Sequence, residues 1–387
     1  MPPNQAAYQP FKKAPSLLVK EAPYPTLTSA SDGANQIVVR NGAVAVNPID
    51  WLIQSRGDIM FTHLKYPDVV LGHDLAGEVV EVGPSVTRFR VGDRVVGFAR
   101  GPEKTVNSSA ESAFQQHTVL REEYASPLPA DMTYAQAAVL PLALATAAAA
   151  LFDKAQLGLQ LPPTTTTARQ PPNNHAVVKK TVIIWGGSTS VGCSAIQLAV
   201  AAGYEVFSTA SPKNFAYLRK LGAARVWDYR SPTVTRDIVA ALKEEEDRKV
   251  AGAVSIGAGA AERCMEILDG LPSDAKNINK FVAMVTFPVP EKAPQSLVFL
   301  RTAAYYVSWL VAYKTKGAMK GVRSNLVLVS AEISRRVFTE FLPTALELGL
   351  VTAAPEPRVV GHGLESVQKA FELQKQGVSA EKLVVTL

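Results

Sequence analysis

The feature that most constrains this chain is a strand–turn–helix–strand unit near its middle. The β-branched run Thr181-Val-Ile-Ile-Trp185 feeds the turn Gly186, Gly187, Ser188, Thr189, Ser190, Val191 and Gly192, which opens the apolar helical run 193–202. A second strand-like run, 204–209, follows directly after Gly203. N–H groups at a helix start have no intrahelical partner, and the helix dipole favours negative charge there, so such a turn is an anion site. In this context the unit predicts the first half of a dinucleotide-binding fold. Aligned on G-x-G-x-x-G, the key positions are Gly187, Thr189 and Gly192, so a threonine stands at the middle glycine. A merely structural tight turn is the alternative reading.

The second strand bears on which dinucleotide. NAD sites usually place a carboxylate at its end, about 20 residues past the turn, to accept from the ribose 2′-OH. Here the strand runs into Ser211, Pro212, Lys213 and Asn214, with no carboxylate. Hydroxyls and an ammonium suit a 2′-phosphate, so NADPH is expected over NADH. Ser211-Pro212 also reads as a helix cap with proline in the first turn, and both roles are compatible.

A chain of 387 residues builds a core easily and is expected to form two domains. The net charge of +6 is spread along the chain without a Lys/Arg-rich block, so a solvated basic surface is expected rather than nucleic-acid binding. Two cysteines, Cys193 and Cys264, are too few for a disulfide scaffold or a Cys-based zinc lobe and suit a reducing, cytoplasmic compartment. The first residues lack a basic and apolar leader pattern, so no secretory signal is expected. The apolar run 135–152 is Ala-rich and contains Gln136, Pro141 and Thr146, which predicts a buried helix and no membrane span.

Short β runs at 37–46, 75–82 and 94–98, broken at Gly83-Pro84 and Gly92-Asp93, predict a small Greek-key-like β domain. A long helix is expected over 134–152, then a Thr/Pro-rich surface loop over 161–174. Strands near 181–185, 204–209, 225–228, 251–257 and 280–286, alternating with helical runs, predict a doubly wound parallel sheet. Amphipathic helices are expected at 333–350 and 363–376, and a final strand at 382–387. The apolar run 295–310, with Phe299, Tyr305, Tyr306 and Trp309, reads as a dimer face or a substrate wall; a substrate-cleft lid with at least one of these aromatics facing the nicotinamide is favoured.

Leu71-Gly-His-Asp-Leu-Ala-Gly77, Val91-Gly-Asp-Arg-Val95, the nucleotide turn and Glu381-Lys-Leu-Val-Val385 together resemble the medium-chain dehydrogenase/reductase superfamily. The runs Asn47-Pro-Ile-Asp-Trp51, Ile184–Gly192, Ser211-Pro-Lys-Asn214 and Asp228-Tyr229 resemble its fungal branch of trans-acting enoyl reductases and "zinc-binding oxidoreductases" of secondary-metabolite clusters. The resemblance implies an α/β fold: a GroES-like domain, 1–150, completed by 326–387, around a Rossmann NADPH-binding domain, 151–325, with the active site in the cleft. It implies cofactor contacts from Pro48, Ile49, Asp50, Trp51, the glycine-rich turn, Ser211 to Asn214, Tyr229, Ile256, Gly257, Val285, Thr286, Lys382 and Leu383. It leaves open a monomer or a homodimer.

Zinc-dependent members of that family hold metal through a Cys, the His of the Gly-His motif, and a Cys or carboxylate just before the Rossmann domain. The matching positions are Asn47, His73 and Leu142, and an amide and an alkyl group are not a zinc donor set. The five histidines, His63, His73, His117, His175 and His362, show no metal-ligand spacing, so no zinc is expected. His73 then reads either as a hydrogen-bonded structural residue or as a proton donor or relay. Thr146 matches the family's threonine beside the nicotinamide, or else bonds back to its own helix. Many fungal relatives carry a lysine after Asn-Pro-x-Asp-x; here it is Leu52. The expected function is NADPH-dependent, zinc-independent reduction of an activated C=C on a small-molecule substrate, with Thr146, His73 and Asn47 at the reaction. A quinone or carbonyl/alcohol oxidoreductase, or an NADPH-binding protein with vestigial catalysis, are the alternatives.

Overall fold

The computed structural model describes residues 3–27, 34–163, 180–245, 247–272, 277–286 and 298–387, without the side chains of 57–60 and 298–303. The chain forms two compact units, Met1–Ala143 with Arg335–Leu387, and Leu144–Ser334.

The first unit begins with β1 (Asn4–Gln9), β2 (Leu18–Ala22), β3 (Gln36–Ala45), α1 (Pro48–Met60), β4 (Val69–Val70), β5 (Asp74–Val82), β6 (Arg94–Phe98), β7 (His117–Arg121), β8 (Ala125–Pro127) and α2 (Tyr134–Ala137). Helix α3 (Pro141–Phe152) leads into the second unit. That unit runs β9 (Lys180–Trp185), α4 (Ser190–Ala201), β10 (Glu205–Ala210), α5 (Phe215–Lys220), β11 (Arg225–Asp228), α6 (Val234–Lys243), β12 (Lys249–Ser255), α7 (Ala260–Asp269), β13 (Phe281–Met284), α8 (Val298–Met319), β14 (Arg323–Leu326) and α9 (Ala331–Arg336). The first unit is completed by α10 (Leu342–Glu347), β15 (Glu356–His362), α11 (Ser366–Gln376) and β16 (Glu381–Thr386).

In the first unit a seven-stranded sheet runs β15-β16-β3-β5-β6-β8, with β7 also on β3, beside a three-stranded sheet β2-β1-β4. Its core gathers Val39, Val44, Leu75, Val79, Leu120 and Val385 from strands of both chain segments, with Phe114 from a loop and Phe371 from α11, all at most 2% exposed. The last strand is therefore no appendage. Its antiparallel register on β3 pairs Val384 with Ala45 and Val385 with Val44, and Val46 N–H donates to Leu383 O at 3.0 Å. Continued two residues, that register sets Lys382 opposite Asn47. Asp74 is paired with Ala45 from the other side of β3.

The second unit is the expected doubly wound sheet. Six parallel strands run β11-β10-β9-β12-β13-β14, the strand order of a dinucleotide-binding sheet with its first strand central. Strand β9 is buried from Thr181 to Trp185, as a parallel strand covered on both faces must be. Helices α6 and α7 close one side through Ile238, Leu242, Met265 and Leu268.

Several expectations shift in detail. The helix foreseen over 134–152 is two helices. Proline cannot donate to a preceding turn but suits a first helical position, so Pro141 starts α3 afresh. This stretch is the one among the described residues long and apolar enough to cross a membrane, and 78% of it is buried inside the protein. The single helix foreseen at 333–350 is α9, a π-helical turn over Val337–Phe341, and α10. Pro343 in the first turn of α10 lacks the N–H that a continuous α-ladder needs. Strand β14 was not foreseen, because Arg323-Ser-Asn-Leu326 is a half-exposed edge without apolar alternation. The Thr/Pro-rich loop falls mostly outside the described residues. The run 295–310 proves helical from 298. Trp309 stacks on Tyr313 at 4.7 Å, and both pack on the core of the second unit; Tyr313 OH donates to Glu262 Oε1 at 2.5 Å. Tyr305 is 38% exposed, and the Phe299 side chain lies outside the described residues.

The β3–β5 crossing is tight at Gly77, where an added Cβ would sit 2.1 Å from Arg40 O on the neighbouring backbone. Backbone yields less readily than a side-chain tip. Gly77→Ala is therefore expected to destabilise the first unit by about 1–3 kcal/mol, read as a lower urea midpoint with unchanged slope.

Candidate active site

The glycine-rich turn sits where β9 hands over to α4. Gly186 N–H donates to Thr209 Oγ1 at 3.1 Å, and Gly187 N–H to Thr209 O at 2.9 Å. The strand beside the turn thus holds its first half. Thr189, the residue in place of a middle glycine, is the N-cap of α4. Its Oγ1 accepts from Gly192 N–H at 3.0 Å and donates to Gly186 O at 2.8 Å. Gly192 must stay glycine, because a Cβ there would lie 2.3 Å from Gly186 O. After this accounting, the N–H groups of Ser188, Ser190 and Val191 have no acceptor among the described residues. Those three donors at a helix N-terminus are suited to an anionic group.

The neighbouring strand ends carry the other expected cofactor residues. Ser211 caps the short turn Pro212–Asn214 through its backbone, accepting from Asn214 N–H at 2.9 Å, and Lys213 is exposed. The nearest carboxylate is on the adjacent strand. Asp228 is paired with Ala210 in register, and Arg230 binds it through its backbone N–H and guanidinium at 3.1–3.3 Å. That pairing holds the Asp228 carboxyl below its usual range. Arg230 also lies over the ring of Tyr229, which is 46% exposed. On the other side, Ile256 N–H donates to Trp185 O, Val285 N–H to Ser255 O, and Gly257 N–H to Thr286 Oγ1 at 2.8 Å. The turn, Ser211 to Asn214, Tyr229, Ile256–Gly257 and Val285–Thr286 therefore all lie at carboxyl ends of the parallel strands.

The first unit contains a different kind of site, a buried charged cluster. Asp50 and Asp74 are fully buried, and Asn47, His73 and Lys382 are at most 6% exposed. His73 Nδ1 is 2.8 Å from Asp50 Oδ1, and Asp50 Oδ2 accepts from Asn47 N–H at 2.8 Å. The Asn47 amide donates through Nδ2 to Asp74 Oδ2 at 2.8 Å and accepts at Oδ1 from Lys382 Nζ at 2.5 Å. Lys382 Nζ also pairs with Asp74 Oδ2 at 2.8 Å, while Asp74 Oδ1 takes the Leu142 N–H at 2.7 Å. His73 stacks on Phe98 at 6.2 Å. Its Nε2 has no hydrogen-bond partner among the described residues. Burial works against charging this imidazole, but the hydrogen bond and charge of Asp50, with the charges of Asp74 and Glu103, outweigh it and raise its pKa above 6.5.

Sequence reasoning named Asn47 and His73 but not Asp74, whose only signal was its place after Gly-His in the motif. It put Asp50, Lys382 and Leu383 at the cofactor. Their side chains are 0%, 2% and 0% exposed: Asp50 and Lys382 belong to the charged cluster and Leu383 to the core. Pro48 is exposed, and Ile49 and Trp51 pack half-buried on the core of the first unit. Leu52, where a lysine was the family expectation, is 4% exposed. Thr146 is half-buried on α3. Both cysteines are buried, which raises their thiol pKa values, that of Cys193 to about 12, so neither is a ready thiolate. A cavity of about 640 Å³ elsewhere in the first unit, lined by Arg40, Glu78, His117, Tyr134 and His362, includes none of the expected site residues.

Residues 33–130 match the alcohol dehydrogenase GroES-like domain. The whole chain is 56% identical to the dehydrogenase pigH of Monascus ruber, with 100% of both chains covered. The chain belongs to the medium-chain dehydrogenase/reductase family. It is an oxidoreductase, and the α/β fold of a GroES-like domain with a Rossmann sheet is that family's. Another relative, the trans-enoyl reductase himH of Aspergillus japonicus, is 35% identical over 99% of this chain and 97% of its own. Among solved structures, an alcohol dehydrogenase superfamily protein from Novosphingobium aromaticivorans has the same fold, with a TM-score of 0.71, 22% identity and 99% of both chains covered.

Zinc-dependent members of the family make a metal the first question for this cluster. Leu142 brings only a backbone N–H and the Asn47 amide is bonded at both ends, so His73, held through Nδ1 by Asp50, is the one imidazole donor at the three matching positions. Among the described residues no three His, Cys, Asp or Glu side chains are grouped to hold a metal ion. The residues present do not fit a zinc site.

The raised pKa of His73 has a definite sign. A group charged more readily in the folded state contributes stability that is complete below its unfolded value, near 6.5, and lost as pH rises through the folded value. Asp50→Asn is therefore expected to lower the His73 pKa, read from its ring resonances by NMR. The stability gap between wild type and variant should be widest at low pH and shrink as pH rises past the folded value.

Proposed function

We propose that the protein is a zinc-independent, NADPH-dependent reductase of an activated C=C, an enone or enoyl small molecule, plausibly in secondary-metabolite biosynthesis. The observation that carries this reading is the Asp50–His73 pair, an oriented imidazole whose second nitrogen has no partner among the described residues, in a cluster whose donors do not fit a Lewis-acid metal. The trans-enoyl reductase name of a 35% identical relative supports it.

When bound, NADPH supplies the hydride. The chain's own residues do the rest. The N–H groups of Ser188, Ser190 and Val191 would take the pyrophosphate, as free donors at a helix start do. Ser211 and Lys213 would take the 2′-phosphate, with Tyr229 against the adenosine side and Arg230 keeping the Asp228 carboxylate engaged. A conjugated carbonyl spreads developing charge by itself, so its reduction depends less on a metal than that of an isolated ketone. What it still needs is a proton for the α-carbon. His73 is suited to hold one at Nε2, because Asp50 fixes its ring and favours the charged form. Thr146 is the proposed polar contact beside the nicotinamide.

Absorbance at 340 nm with an enone, a quinone and an aldehyde tests the reading. The enone is expected to have at least about ten times the kcat/KM of the others, a gap of about 1.4 kcal/mol. An aldehyde or quinone preferred by that margin would move the protein to another reductase class. Lys213→Ala is expected to weaken NADPH binding about tenfold or more, the loss of one charge-assisted contact, and to leave NADH binding unchanged. His73→Gln is expected to lower kcat by about 10²–10⁴ with cofactor affinity retained.

A further inference from the structure

We infer that Phe338, placed by the π-helical turn Val337–Phe341, is a positioning residue for His73 and acts through the ring of Phe98. The inference deepens the proposed function, since it rests on His73 as the group that holds the proton.

Asp50 holds the imidazole at one atom. The contact of Nδ1 with Asp50 Oδ1 settles which edge faces the carboxylate, but one hydrogen bond tolerates a range of angles and leaves the ring plane able to tilt. A flat neighbour limits that tilt. Phe98 lies nearly parallel to the imidazole, with 6.2 Å between centroids and 22° between planes. Phe98 is itself buried and is met by two further rings. Tyr124 stands edge-on to it at 6.3 Å, and Phe338 lies nearly parallel to it at 6.4 Å and 21°. These separations fall where aromatic pairs attract one another. Tyr124 is fixed in turn by Arg100, whose Nη1 donates to the phenol oxygen at 2.7 Å. Phe338 is fully buried, so shortening its side chain opens a cavity that Phe98 can relax into. A shift of Phe98 frees the tilt of His73.

The backbone accounts for the place of Phe338. In the widened turn Leu342 N–H donates to Val337 O, five residues back, instead of to Phe338 O. The donor five residues on from Phe338 would be residue 343, a proline with no N–H. The helix thus leaves Phe338 O over, and a carbonyl turned from water needs a partner. Arg88 supplies it. Its Nη2 lies 3.2 Å from Phe338 O and 3.2 Å from Ala125 O, which pins the turn to the start of β8. Such turns are rare and recur at functional sites.

The test compares Phe338→Leu with Phe341→Leu in the full-length protein. Both residues are buried in the same turn, and of the two only Phe338 makes a ring pair with Phe98 among the described residues. Both variants are expected to melt at a lower temperature than wild type. Only Phe338→Leu is expected to shift the His73 ring-proton resonances in NMR spectra, because those protons sense the ring of Phe98. It is also expected to lower kcat at least about fivefold, as a misplaced reacting group does, with KM unchanged for the acceptor that wild type turns over best. Equal movement of the resonances in the two variants would reduce Phe338 to a packing residue and overturn the inference. Resonances moved by Phe338→Leu alone, with kcat unchanged, would uphold the positioning of His73 and count instead against His73 as the proton holder. Should Phe338→Leu not fold, Phe338→Met decides, since methionine adapts to an irregular core gap without supplying a ring. It is expected to shift the same resonances, and resonances at their wild-type positions would overturn the inference.

Discussion

The burial of Asp74 is the constraint on which the first unit turns. A carboxylate with no exposure has to be met on every side, and the fold meets it from three places in the chain. Asn47 comes from the end of β3, Leu142 from the start of α3, and Lys382 from the final strand. These three contacts tie the opening strands, the bridge to the second unit and the carboxyl-terminal segment to one point. The return of residues 335–387 to the first unit is thereby an electrostatic requirement as well as a packing one. Breaking any one contact would leave a charge or a strong dipole buried without its partner.

The second unit solves a different problem, that of leaving polar groups unsatisfied on purpose. Most of the backbone at the β9–α4 turn is bonded internally, through Thr209 on the neighbouring strand and the Thr189 cap. What remains, among the described residues, is a short set of N–H groups without an acceptor, at Ser188, Ser190 and Val191. The departure from the three-glycine pattern is accounted for by the cap. A side-chain hydroxyl at position 189 takes the N–H of Gly192 that would otherwise be a further free donor, and it ties the turn to Gly186.

Much of this was legible in the sequence, for identifiable reasons. Parallel strands such as β9 and β12 are mostly apolar beyond their first residue because both faces are covered, and a glycine-rich turn leads from β9 into a helix. The glycines and turn dipeptides of the β domain were equally plain. Edge strand β14 was not legible, since half-exposed Arg323-Ser-Asn-Leu326 lacks the periodicity that burial imposes. Nor was the break at Pro343, where the apolar pattern continues through a π-helical turn. In the site, Asn47 and His73 stood out by residue type. Asp50 and Lys382 stood out as well, as cofactor contacts, but no local pattern tells that their side chains are buried together in one cluster.

The sequence by itself determined the class of fold, the presence of a glycine-rich turn at a helix start, the lack of a carboxylate at the end of β10, and the unsuitability of Asn47 and Leu142 as zinc ligands. Each of these depends on residue type and on neighbours within a few positions, which the linear order contains. Only the tertiary structure decided that Lys382 meets Asn47 across 335 positions of chain, that Asp50 belongs to His73, and that Asp50 and Asp74 are both fully buried. Those facts depend on which strand edges pair and in what register, and register is set by the packing of the whole sheet.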